Sequence, residues 1–122
     1  MNLLKEFQEH IDKELPFLTN KRLLLAVSGG QDSMVLLTLL RLCKFPFEVA
    51  HVNYQLRGSE SDGDAHFVKE HCKLHSITYH ETSFDTQLFA KAAGLGIQEA
   101  ARKLRYQWFH QLIELHKFDY LL

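Results

Sequence analysis

The sequence predicts an α/β fold, a Rossmann-like parallel sheet with helices on both faces. Three observations predict it. Short apolar runs rich in strand formers alternate with longer segments whose apolar residues recur at helical spacing. The first apolar run stops at a Ser-Gly-Gly turn that opens into a helical stretch. No repeat, low-complexity tract or linker divides the 122 residues, as expected for one small domain.

Leu3, Leu4, Phe7, Ile11 and Leu15 recur at helical spacing, so residues 2–14 read as an amphipathic helix ending before Pro16. Residues 22–27, Arg-Leu-Leu-Leu-Ala-Val, read as a buried strand. Residues 33–43 are apolar nearly all round, from Met34 to Leu42, as for a helix packed deep against a sheet. Phe47–Asn53 is a second strand, followed by a polar stretch, Tyr54–Ser59. Ser61 with Asp64 three residues later predicts a capping box that opens a helix to about Ser76. Ile77–Ser83 is a third strand, and Asp85–Ala93 a short helix before the Gly94-Leu95-Gly96 break. Ile97, Ala101, Leu104, Trp108, Leu112 and Leu115 mark one face of a long helix. Phe118–Leu122 reads as a fourth strand. Strand–helix alternation implies right-handed crossovers, and such sheets bind ligands at the carboxyl ends of their strands. The places to look are therefore Ser28, Asn53 and Ser83 onward.

A hydrophobic content of 46% with 24% charged residues argues against disorder. The net charge of −1, from 14 Lys+Arg against 15 Asp+Glu, excludes a protein that grips nucleic acid with its whole surface. Apolar runs such as Leu23–Val27 are far too short for a membrane span. The start, MNLLKEFQEH, lacks the basic and apolar regions of a signal peptide. Cys43 and Cys72 form no C-x-x-C, so a reduced, cytoplasmic protein without a disulfide framework is expected. An apolar parallel strand at Asp119–Leu122 with nothing covering it predicts a truncated domain, and an edge open to a second copy in a homodimer.

Ser28-Gly29-Gly30-Gln31-Asp32-Ser33 carries the chemistry. Small residues permit a tight turn, its free amides and the following helix N-terminus point into one concavity, and Ser28 and Ser33 add hydroxyls. That is an anion site suited to pyrophosphate. A carboxylate among such amides repels phosphate unless a divalent cation bridges them, so Asp32 suggests Mg²⁺. The plain alternative is a Gly-Gly turn with a Ser or Asp helix cap. No Lys follows, so this is not the G-x-x-x-x-G-K-[ST] loop. Gly94-Leu95-Gly96 follows a helix and has Glu99 where a third glycine belongs, so it is no dinucleotide fingerprint.

Ser-Gly-Gly-x-Asp-Ser after the first strand resembles the PP-loop of the N-type ATP pyrophosphatases, which cleave ATP between the α and β phosphates and adenylate a carbonyl oxygen. His51-Val52-Asn53-Tyr54-Gln55-Leu56-Arg57-Gly58, with Glu60-Ser61-Asp62 behind it, is similar to the segment after the second strand in the tRNA(Ile)-lysidine synthases. Glu99-Ala100-Ala101-Arg102-Lys103-Leu104-Arg105-Tyr106 resembles that family's long-helix motif. The three lie in the family's order and cover the chain from about Lys21 onward. Tyr54-Gln55 stands where the family often has His-Gly, and no His-His-x-x-Asp segment or carboxy-terminal RNA-binding region follows.

The resemblance implies a PP-loop ATPase type fold, with residues 1–122 as the amino-terminal part of the ATP pyrophosphatase domain. It implies ATP with Mg²⁺ as cofactors, and a ligase that adenylates the C2 oxygen of the wobble cytidine in an isoleucine tRNA with a CAU-type anticodon. The ε-amine of free lysine then attacks C2, AMP leaves, and lysidine is formed. On this reading residues 28–33 bind ATP, while His51 and Asn53, which alternation puts on one strand face, contact the adenosine. The alternative for the pair is a strand-end hydrogen-bonding role. Arg57 steadies phosphate or RNA, or faces water. By spacing, Glu99, Arg102 and Arg105 form an ion ladder; by resemblance they face the active site with Asp32 as catalytic residues, and an arginine offsets charge on the leaving pyrophosphate. His66, His71, Cys72 and His75 are read as chance neighbours among eight histidines rather than a zinc site, because no second ligand pair follows. Two alternatives remain. One is another PP-loop enzyme, a tRNA thiolase or an amidating synthetase, although such thiolases often carry the C-x-x-C missing here. The other is a non-catalytic ATP-binding module. With its ligand-side residues expected beyond Leu122, the chain alone is expected to be inactive as a lysidine synthase.

Overall fold

The computed structural model describes residues 2–122. In chain order the elements are α1 (Leu3–Glu14), a 3-10 turn (Pro16–Leu18), β1 (Leu23–Ala26), α2 (Gln31–Leu42), β2 (Phe47–Asn53) and α3 (Ser59–Leu74). They continue with β3 (Tyr79–Ser83), α4 (Thr86–Ala93), α5 (Ile97–His116) and β4 (Tyr120–Leu121). The four strands form one parallel sheet in the order β3-β2-β1-β4. Leu25 lies beside Val49 and Val49 beside Tyr79, while Leu23 lies beside both Phe47 and Tyr120.

The order explains the layering. The chain steps outward from β1 to β3, then returns through α4 and α5 to the far side of β1. Right-handed crossovers in opposite directions put their helices on opposite faces. Alternation in the strands matches. Leu25, Val27 and Val49 pack under α2 and α3 with Leu37, Leu40, Val68 and Cys72. Leu24 and Ala50 pack on the other face with Phe109, Leu112 and Phe118. Ile11 and Leu18 close the first layer against Leu23, which places α1 at its edge. Each fully buried Leu or Val contributes about 1.5–3 kcal/mol relative to exposure.

Several expected boundaries and faces move. α2 starts at Gln31, so Asp32 and Ser33 stand in its first turn. It is not packed all round: Val35 and Leu42 are exposed, because the sheet covers only one side of it. α3 starts at Ser59, with Gly58 as N-cap, so the capping box does not form. Ser61 lies buried inside the first turn, and its Oγ accepts a hydrogen bond from the Arg57 amide at 3.2 Å. β3 starts two residues late, because the Ile77 amide still donates to Cys72 O as α3 unwinds. In α5 the buried residues are Ala100, Leu104, Phe109 and Leu112, whereas Ile97 and Leu115 are exposed. The apolar face is wider than the expected stripe and lies about one residue off it.

β4 shortens because the Phe118 amide closes the end of α5 onto Ile113 O and Asp119 Oδ2 accepts from the Arg22 amide. Its apolar edge is partly covered. The Phe17 ring lies 5.4 Å from the Tyr120 ring, and Leu122 packs with the α1 layer. No described helix is long and apolar enough to cross a membrane.

Candidate functional site

The carboxyl ends of β1 and β2 open into a cleft of about 380 Å³ beneath α5. Small-molecule sites span about 300–1,000 Å³. Ser28 and Ser33 line one wall, His51 and Asn53 the strand side, and Phe109 and Arg105 the α5 side. A second, more open groove of about 650 Å³ adjoins it and is lined by Gln98, Glu99, Arg102 and Arg105. Tyr54, Leu56 and Arg105 border both. The end of β3 takes no part, and Ser83 lines neither.

The turn after β1 is held by its own residues. The Gly29 amide donates to Ser33 Oγ and the Gly30 amide to Ser28 Oγ, both at 3.2 Å. Ser33 Oγ donates to Gly30 O at 3.0 Å. A hydroxyl has one proton, so the 3.2 Å contact between the two serines is donated by Ser28. Gly29 has φ +96°, and a Cβ there would stand 3.3 Å from Asp64 Cβ, so both backbone and space demand glycine. Gly30 caps α2, whose first ladder bond runs from the Met34 amide to Gly30 O. The Gln31, Asp32 and Ser33 amides precede that ladder at the positive end of the helix. The Asp32 carboxylate is exposed in this turn and does not border the cleft. Among the described residues no three His, Cys, Asp or Glu side chains gather as a metal site. Asp32 is a single exposed carboxylate beside the free amides of the turn, a donor that a magnesium ion shared with phosphate oxygens would use.

The turn after β2 is held from a distance. His51 Nδ1 lies 2.7 Å from Val27 O. A carbonyl only accepts, so Nδ1 carries the proton and, in the neutral ring, Nε2 is the acceptor. Asn53 Nδ2 donates to Asp62 Oδ1 at 2.9 Å, and Asn53 Oδ1 accepts from the Gln55 amide. Both strand residues thus border the cleft and brace the turn. Thr86 is fully buried and donates to Tyr54 O at 2.8 Å, which ties α4 to the same turn. Arg57 does not simply face water. Its guanidinium meets Asp64 at 2.6 Å and Glu60 at 3.6 Å.

On α5, no ion pair joins Glu99, Arg102 and Arg105 among the described residues. The expected ladder does not form. The two guanidiniums flank the Tyr106 ring instead, at 5.5 and 5.4 Å. Glu99 and Arg102 are exposed beside the second groove, and Arg105 is half-buried between the two. The His71 and His75 rings lie 4.7 Å apart, tilted by 56°, and among the described residues no metal-type cluster includes them. Cys72 is buried and its thiol is pushed up to about 11 by that burial, so it has no thiolate reactivity near neutral pH.

Tyr54, Leu56, Asp64, Thr86 and Phe109 were not singled out from the sequence as functional. Asp64 looked like a helix cap and Phe109 fell outside the counted stripe. Only the Tyr54-Gln55 departure marked its position.

A family model described as a PP-loop domain matches residues 2–122, so the chain belongs to the PP-loop domain family. It is 43% identical over 105 residues to the tRNA(Ile)-lysidine synthase of Bacteroides thetaiotaomicron, covering 86% of this chain and 25% of that protein. It is 36% identical over 121 residues to the tRNA(Ile)-lysidine synthase of Bacillus subtilis, covering 97% of this chain and 26% of that protein. The corresponding protein of Porphyromonas gingivalis is 41% identical over 102 residues, 84% of this chain and 22% of its own length. The chain thus spans about a quarter of the length of these curated relatives. The PP-loop domain supports ATP use.

Proposed function

We propose that this chain is the ATP-binding and adenylating part of a tRNA(Ile)-lysidine synthase. In this reading ATP adenylates the C2 oxygen of the wobble cytidine in an isoleucine tRNA with a CAU-type anticodon, and free lysine then replaces the adenylate. The observation that carries the reading is the pair of adjoining clefts with Arg105 between them. A nucleotide and a second, acceptor substrate need such an arrangement.

The adenosine occupies the smaller cleft against His51, Asn53 and Phe109. The Gln31, Asp32 and Ser33 amides hold the departing phosphates, since the protons of both serine hydroxyls are already donated within the turn. The acceptor base enters from the larger groove, past Glu99 and Arg102. Its O2 attacks the α phosphorus, the bond to the bridging oxygen breaks, and pyrophosphate leaves with the electron pair. Arg105 and Arg102 offset the charge that develops there. The lysine amine then forms a bond to C2, the C2–O bond breaks, and AMP leaves as the amine loses its proton. Asp32 would hold Mg²⁺, which would supply charge neutralisation on the phosphates. The chain's part is orientation and electrostatics.

Residues 1–122 serve here as the PP-loop part of a larger enzyme acting in the cytoplasm. With a net charge of −1, the bulk of the grip on tRNA comes from outside them. A chimera tests the reading. These residues replace the matching quarter of the Bacillus subtilis relative, and lysine incorporation into the isoleucine tRNA is measured. Lysidine formation with stoichiometric pyrophosphate is expected. A folded chimera that releases pyrophosphate but transfers no lysine contradicts the reading.

A further inference from the structure

We propose that Asp64 is a positioning residue that holds Arg57 at the mouth of the cleft as a contact for nucleotide phosphate. The inference rests on the nucleotide reading above and adds two residues to it. Asp64 is the carboxylate that borders the cleft, and it stands on α3, outside the phosphate-binding turn. Its Cβ lies against the face of Gly29 that a side chain would occupy. A bare carboxylate so close to that turn would repel phosphate. It is not bare: the Arg57 guanidinium meets it at 2.6 Å. Arg57 has five N–H donors; Asp64 takes Nη2, and Glu60 lies 3.6 Å from Nη1, beyond a hydrogen bond, so the other N–H groups stay available for a ligand. More than half of the Arg57 side chain is exposed, and the residue borders the same cleft as Ser28 and Ser33.

The backbone reinforces the placement. The Arg57 amide is tied to the buried Ser61 hydroxyl and the Tyr54 carbonyl to the buried Thr86 hydroxyl, so the turn carrying Arg57 is fixed at both ends. An arginine pinned in this way has already lost much of the side-chain freedom that ligand binding would otherwise cost. The same pair links the turns after β1 and β2, since the Asp64 side chain occupies the space beside Gly29 and orients the second turn through Arg57. The geometry favours phosphate over an RNA base as the ligand of Arg57, because the guanidinium shares its cleft with the phosphate-turn serines and does not border the second groove.

The test compares ATP, ADP and adenosine by calorimetry on the full chain and its variants. Asp64→Asn keeps the packing against Gly29 and removes the charge. It is expected to weaken ATP and ADP about ten- to a hundredfold, as for a charge-assisted hydrogen bond, and to leave adenosine within about twofold. Asp64→Glu restores most of the loss, Arg57→Ala reproduces it, and melting temperatures stay close to that of the parent chain. Equal losses for adenosine and ATP, or losses tracking the melting temperature, reduce Asp64 to a structural role and overturn the proposal. So does an Arg57→Ala variant that binds ATP normally but loses a single-stranded RNA probe. If the parent chain binds none of the three ligands, the nucleotide reading itself fails, and this proposal with it.

Discussion

The turns after β1 and β2 face one cleft and are built in opposite ways. The first is closed by bonds among residues 28–33, each spanning five positions or fewer. The second is braced from α3 and α4, through Asp62, Ser61, Asp64 and Thr86. A self-contained turn keeps its shape wherever a strand and helix present it, whereas a braced turn depends on the packing of distant elements. Loss of function at the first should therefore leave the fold intact, and changes at the buried braces of the second, Asn53 and Thr86, should cost stability as well as function, whereas the exposed Arg57–Asp64 pair contributes little stability.

The sharpest separation is expected at Asp32. Asp32→Ala in the chimera should abolish pyrophosphate release even with excess Mg²⁺, while the melting curve stays close to the parent's, because the side chain is exposed in the first turn of α2. Near-normal turnover would remove the metal role. Arg102→Ala comes next. A lost transition-state charge contact costs about 2.7–4 kcal/mol of barrier, a drop of roughly 10²–10³ in rate. Its visible partner is the Tyr106 ring, and an exposed contact of that kind contributes about 0.5–1 kcal/mol. Rate and stability measured side by side should therefore disagree strongly; matching small changes would leave Arg102 with its ring contact alone.

Asn53→Ala is the counterpart in the braced turn. It removes two hydrogen bonds made by a buried side chain, so about 1–3 kcal/mol of stability should be lost in urea unfolding. Ser28→Ala in the exposed turn should cost about 0.5–1.5 kcal/mol at most. The reverse order would undo the distinction between the two turns.

The smallest effect lies away from the cleft, where α2 meets α3. Burial, then His75, then Arg41 hold the His71 pKa below its ordinary value of 6.5, and its Nε2 is buried without a partner. The unfolded chain therefore takes up this proton more readily than the folded one. Stability from a neutral His71 is complete above about pH 6.5 and is lost as pH falls below it. His71→Gln should flatten the acid limb of a melting-temperature profile between pH 7 and 5. An unchanged slope would mean that the group is not desolvated enough to matter.

The contrast between the turns also explains what could be read from the sequence. The turn from Ser28 to Ser33 is legible because its contacts are local, and the four strands follow from short runs of strand formers. The braced turn hides its partners. Asn53 pairs with Asp62 nine positions away and Tyr54 with Thr86 at thirty-two, separations that no pattern of spacing encodes. Ser61 and Asp64 carry the letters of a capping box, yet the helix starts at Ser59, because the buried Ser61 hydroxyl serves the Arg57 amide instead. The charged spacing of Glu99, Arg102 and Arg105 suggested a ladder, whereas Tyr106 drew the arginines to its ring. α2 reads as buried all round because composition cannot tell which side the sheet covers.

In the proposed function, ATP sits between the ends of β1 and β2 and the inner face of α5. Photolabelling with 8-azido-ATP and Mg²⁺, followed by peptide mapping, tests it most directly. Saturable labelling is expected at residues 50–57 and in the α5 segment around Arg105 and Phe109, suppressed by unlabelled ATP and lost in Gly29→Ala. That substitution puts a side chain at φ +96° and against Asp64. Labelling that maps elsewhere, or that survives competition with ATP, would contradict the account.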